Sequence, residues 1–146
     1  MGISAWRWES AERRFDRIPF DQNESINEAA LRLPVGVYTT MRTYQHDQVL
    51  GIESHINRLN QSARLSGREL FLDEKHLRKL LRIAIISIPF RGDLRFRIHI
   101  DLTSHIGDIY LFVEPLVLPD NTERLCGGAA LTCEMHRDNP LIKATE

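Results

Sequence analysis

The 146-residue sequence predicts an α+β two-layer sandwich, a mainly antiparallel sheet covered by two helices. Three observations predict it. Strand-like runs occur at 37–44, 94–101 and 109–113, two amphipathic stretches separate the first run from the second, and the later runs are joined by a turn short enough for antiparallel neighbours. With 42% hydrophobic residues the chain can bury a core of its own.

Residues 1–33 are polar and mixed in charge, with Trp6, Trp8 and Phe15 as apolar anchors and Pro19 as a breaker, which predicts a lead-in with one short strand at most. Gly36 then opens a β-branched and aromatic run that closes in the polar turn Gln45-His46-Asp47-Gln48, a strand over 37–44. Ile56, Leu59 and Ala63 recur at helical spacing, and Gly67 stands where a left-handed cap belongs, so 53–66 reads as a helix. Asp73 can cap a second helix that carries Leu77, Leu80, Leu81, Ala84 and Ile85 to about Ile88, where Pro89 stops it. Leu94, Phe96, Ile98 and Ile100 alternate with Arg95, Arg97, His99 and Asp101, a strand with one apolar and one charged face. The run at 109–113 pairs with it across the turn at 104–107, and 129–135 reads as a further strand. The tail, 136–146, reads as irregular chain with no element to tie it down.

Composition disfavours several function classes. Nineteen basic against 20 acidic residues give a net charge of −1, no electrostatic footprint for nucleic acid or an anionic membrane. Cys126 and Cys133 are too few for a disulfide framework or a zinc cage, which fits a reducing compartment. The histidines lack paired metal-ligand spacing, so no metal site is expected. The first twenty residues hold no apolar run, so neither a signal peptide nor a span is expected there, and a cytoplasmic location follows. P-loop, dinucleotide and Gly-x-Ser-x-Gly motifs are missing.

Three features could carry chemistry. His55-Ile56-Asn57-Arg58-Leu59 places an arginine three residues after a histidine on one helix surface, where a guanidinium could fork onto a phosphate; the bland reading is an arginine lying beside the core with its head in water. Arg95, Arg97 and His99 share a strand face, which suits a carboxylate ligand or, equally, a solvent-facing strand with paired charges. Lys143 follows Pro140-Leu141-Ile142; apolar surroundings favour a neutral, nucleophilic amine, whereas a lysine at this position can also be a plain tail residue.

The order of these features resembles the small N-terminal domain of fold-type IV pyridoxal-phosphate enzymes, the class IV aminotransferases that include the branched-chain and D-amino-acid aminotransferases. The residues that carry the resemblance are Gly36-Val37-Tyr38-Thr39-Thr40-Met41-Arg42, His55-Ile56-Asn57-Arg58-Leu59, Leu94-Arg95-Phe96-Arg97-Ile98, and Arg137 through Pro140-Leu141-Ile142-Lys143. The resemblance implies that Lys143 is the Schiff-base lysine and catalytic acid–base, that Arg58 binds the cofactor phosphate, that Tyr38 lines the substrate pocket, and that Arg97 lies near the substrate carboxylate. Thr39 stands where many members carry a glutamate, which leaves substrate preference open.

It further implies pyridoxal 5'-phosphate as cofactor, an amino acid and a 2-oxo acid as substrates with branched-chain amino acids first among the donors, and a homodimer. An aminodeoxychorismate lyase-like activity, or a non-catalytic dimerising or anion-binding domain, are the alternatives. Residues 1–135 are then the small domain and 136–146 the start of an interdomain segment carrying Lys143. The family continues into a large domain that holds the acidic partner of the pyridine nitrogen, so the expectation is a truncated or fragment form, incompetent by itself.

Overall fold

A computed structural model gives the fold, and the structure describes residues 2–21, 24–134 and 140–145. Five strands form one antiparallel sheet: β1 (Ser4–Glu9), β2 (Arg14–Ile18), β3 (Gly36–Arg42), β4 (Leu94–Asp101) and β5 (Ile109–Pro115), in the order β2-β1-β5-β4-β3. The helices are α1 (Ile26–Ala30), α2 (Ile52–Leu65), α3 (Glu74–Ile86) and the short α4 (Asn121–Cys126). The predicted α+β class and antiparallel sheet hold.

Alternation along the strands divides the sheet into two unlike faces. On one face Val37, Met41, Phe96, Ile98, Ile100 and Leu111 meet the apolar stripes of α2 and α3, and Phe96, Ile98 and Ile100 are wholly buried. The opposite face is only partly covered: Phe112, Ala5 and Ile3 pack on Ile26 and Ala29 of α1. The rest of that face, over β3 and β4, carries Tyr38, Arg97 and His99.

Local chemistry explains the helix ends. Gly67 takes φ +77°, the amide of Arg68 donates to Ala63 O and that of Gly67 to Arg64 O, so two of the last carbonyls of α2 are satisfied as the predicted cap requires. The Asp73 carboxylate accepts from the Lys75 amide at 3.1 Å and starts α3. Glu114 of β5 accepts from the first amide of α1, Ile26 N, at 3.1 Å and pairs with Arg95 at 2.9 Å, tying α1 to the sheet.

Three expectations are corrected. The lead-in holds a hairpin, β1 and β2, and a helix rather than one short strand; the hairpin turn is made by Arg13 at φ +53°, without the glycine that would have announced it. No strand forms over 129–134, whose residues are exposed, because β3 and β2 end the sheet and neither pairs with them; Met135 lies outside the described residues. The described end of the tail is tied down after all. Residues 143–145 run antiparallel along the outer edge of β3, with Tyr38 N donating to Lys143 O at 3.0 Å and Thr145 N to Gly36 O at 2.9 Å. The unpaired edge of β3 supplies the partners that the tail's own sequence does not advertise.

Candidate functional site

The β3 edge is where the candidate residues meet. In the antiparallel register Val37 faces Ala144, so Lys143 comes opposite Tyr38 and the two side chains share a face. Lys143 Nζ lies 4.9 Å from the centre of the Tyr38 ring, and the Arg97 guanidinium carbon lies 3.7 Å from the same centre. Two cations from segments far apart in sequence thus converge on one aromatic platform.

Arg97 is nearly withdrawn from solvent, at 7% exposure, and its Nε is buried with no protein hydrogen-bond partner. Burial lowers its pKa, and the neighbouring charge of Arg95 works in the same direction. A buried guanidinium with an unsatisfied donor is costly unless an acceptor arrives, and an anion would supply one. The solvent-facing reading of this strand face is therefore not the one the structure adopts at Arg97 and His99.

His99 is wholly buried beside Tyr110, and its Nε2–H donates to Pro34 O at 3.0 Å. Burial, followed by the charge of Arg97, pushes its pKa down to about 4, so the imidazole is neutral at physiological pH. Gly36 makes room for it, since a β-carbon at that position would come within 2.6 Å of His99 Nε2 and closer still to Ile100 O. This is the role of the glycine at the head of the first motif.

On the other side of β3, α2 presents His55 and, one turn later, the exposed Arg58. His55 Nδ1 lies 2.7 Å from the hydroxyl of Thr39, a residue with no solvent exposure. Burial lowers the pKa of His55, and the charges of Lys143 and Arg58 lower it further. The backbone amide of Lys143 approaches Ser62 Oγ of α2 at 3.4 Å, which brings the end of the tail against this helix.

The structure brings Lys143, Tyr38 and Arg97 together, and holds Arg58 exposed on α2, one turn after His55. Arg137, Asp138 and Asn139 of the last motif lie outside the described residues. Two parts of the site escaped the sequence reading, the Thr39 to His55 contact and the depth of His99. Period-2 alternation signalled only that His99 shares a face with Arg97, and Thr39 stood out only as a departure from the family pattern, not as a partner of His55. Among the described residues no group of His, Cys, Asp or Glu could hold a metal ion, and no helix is long and apolar enough to cross a membrane.

The donor set suits an anionic aldehyde cofactor such as pyridoxal 5'-phosphate. It offers a primary amine beside an aromatic ring, a guanidinium against the same ring, and a further guanidinium and an imidazole on α2.

Comparison with known proteins agrees. No curated protein sequence matches the chain. Among solved structures, it is similar to a protein provisionally assigned as a branched-chain amino acid aminotransferase from Thermotoga maritima, at 25% identity over 80% of this chain and 39% of the other, with a TM-score of 0.56. It also shares its fold with a hypothetical aminotransferase from Mycobacterium tuberculosis in a PLP-bound form (20% identity, 76% and 40% covered, TM-score 0.52). A branched-chain aminotransferase from Thermoproteus uzoniensis with norvaline is likewise similar in fold (18% identity, 80% and 42% covered, TM-score 0.53). The chain spans about two-fifths of the length of these proteins. The family model described as amino-transferase class IV matches residues 36–146, which is most of the chain and includes every candidate residue above, so this chain belongs to the class IV aminotransferase family.

Proposed function

We propose that this chain supplies the small-domain half of a pyridoxal 5'-phosphate-dependent aminotransferase that moves an amino group between an amino acid and a 2-oxo acid. The observation that carries the proposal is the convergence of Lys143 and the buried Arg97 on Tyr38. Residues 1–135 form the small domain in this reading, and 136–146 lead toward a large domain that completes the site in a homodimer. The lengths of the similar structures support that division.

Each side chain has a physical task. Lys143 would hold the cofactor through Nζ, and the same amine would take up the proton from the substrate's α-carbon as a general base and give it up again as a general acid. Arg58, exposed on α2, forks onto the phosphate. Tyr38 keeps the Lys143 amine from swinging away and walls the substrate space. Arg97 meets the substrate carboxylate with the donor that the protein leaves unpaired, and its burial strengthens that contact relative to one in water. When bound, the cofactor supplies an electrophilic aldehyde and a ring that draws electrons from the substrate's α-carbon.

Branched-chain and other aliphatic donors are the first substrates to test, because two of the similar structures bear that assignment. Mixing the chain with pyridoxal 5'-phosphate is expected to give an absorbance band distinct from that of free cofactor. Lys143→Ala is expected to remove the band. Arg58→Ala should weaken cofactor affinity by roughly ten-fold, the loss of one charge-assisted contact. A band unchanged in Lys143→Ala would overturn the proposal.

A further inference from the structure

One feature of the cluster has no role in the reading above. Thr39 is fully buried on the helix-facing side of β3, where its neighbours Val37 and Met41 are apolar, yet it carries a hydroxyl. That hydroxyl lies 2.7 Å from His55 Nδ1 and so fixes the rotation of a half-exposed imidazole. Where the Thr39 hydroxyl donates to Nδ1, the neutral ring carries its proton at Nε2 and the remaining ring nitrogen is a donor. The charged groups that act on this ring are Lys143, from the segment along the β3 edge, and Arg58, from its own helix, both cations. Arg58, three residues after His55, lies on the same helix surface, so its guanidinium and the ring's free nitrogen can face one anion, and the charge of Lys143 acts on the same ring.

We propose that Thr39 and His55 act as a positioning pair for the phosphate end of the bound cofactor, the buried hydroxyl orienting the imidazole so that Nε2–H adds a neutral donor beside Arg58, its neighbour on the same helix surface. The proposal rests on the cofactor reading above.

The test uses inorganic phosphate as the probe, titrated calorimetrically into the whole chain. Wild type should bind phosphate saturably. Thr39→Val and His55→Phe should each weaken that binding by roughly ten-fold, and Thr39→Ser should restore it. A second readout compares pyridoxal 5'-phosphate with pyridoxal: the preference for the phosphorylated form should fall in Thr39→Val and His55→Phe by the same factor, while the affinity for pyridoxal stays unchanged. A purely structural contact between strand and helix would lower both affinities, or the melting temperature alone, and would overturn the proposal. Failure of wild type to bind phosphate would overturn it as well, and His55→Phe decides the question if Thr39→Val does not fold. Phosphate binding that depends on the pair, in a chain that gives no Lys143-dependent absorbance band, would leave the pair standing as an anion site and sink the cofactor reading. A Lys143-dependent band with phosphate affinity indifferent to Thr39 and His55 would do the reverse.

Discussion

Gly36→Val is expected to cost more than about 3 kcal/mol of stability, or to leave no soluble folded protein, because the added carbons meet backbone as well as a side chain. The nearest atom to a β-carbon at this position is Ile100 O of the neighbouring strand, and His99 Nε2 is 2.6 Å away, held in place by its bond to Pro34 O. Relief would require β3 and β4 to separate where they pair, and with them the platform on which Tyr38 and Arg97 meet. Gly67→Ala makes the contrast. Gly67 has open space around it and only its φ of +77° to defend, so about 1 kcal/mol is expected there. Urea denaturation of the two variants measures both, and a Gly36→Val protein as stable as Gly67→Ala would contradict the packing described here.

The second large effect is acid destabilisation. His99 has a folded pKa of about 4 against an ordinary value of 6.5, so the folded state resists a proton that the unfolded chain accepts. A depressed pKa gives stability that is fully present above pH 6.5 and is lost as pH falls toward 4, amounting to ~3 kcal/mol over that window. His55, shifted in the same direction, adds to the slope. Burial alone would raise the pKa of Asp101 and Asp108, but hydrogen bonds from Thr103, His105 and Ser104 to the first, and from Ser10 and Arg7 to the second, outweigh it and lower both. Their loss begins only below the ordinary carboxylate value of 3.8 and so falls outside the histidine window. Unfolding free energy measured from pH 7.5 to 4.5 should therefore decline in wild type and decline much less in His99→Gln, whose amide can still donate to Pro34 O without titrating. Equal slopes in the two proteins would show that His99 is not held neutral.

The central strands were legible because their burial follows from period-2 patterning. β4 runs from Leu94 to Asp101, as its alternation predicts, and α2 and α3 end near Gly67 and Pro89, where a positive φ and a missing amide stop them. The β1–β2 hairpin was not legible, since β2 is a largely exposed, charged edge strand with Arg14, Asp16 and Arg17 in place of an apolar face. The run at 129–134 failed in the opposite sense: its β-forming residues meet no partner, and propensity without a partner makes no strand.

The site divides in the same way. The residue types and their order along the chain were readable, and so was the helical spacing of His55 and Arg58. What periodicity could not supply was the contact of Lys143 with Tyr38, which depends on the free edge of β3 capturing a segment more than a hundred residues later. Nor could it show that Arg97 and His99 are buried rather than solvated, because alternation assigns a face and not what covers it.

The sequence contains three lysines, Lys75, Lys79 and Lys143, and the first two lie on α3. Incubating the chain with pyridoxal 5'-phosphate, fixing the cofactor to whichever amine holds it with cyanoborohydride, and mapping the label by peptide mass spectrometry therefore gives a decisive assignment. Label concentrated on Lys143 is the expected result. Label spread over Lys75, Lys79 and the N-terminal amine, with Lys143 no more reactive than they are, would contradict the claim that this edge of the sheet is built around a cofactor-binding amine.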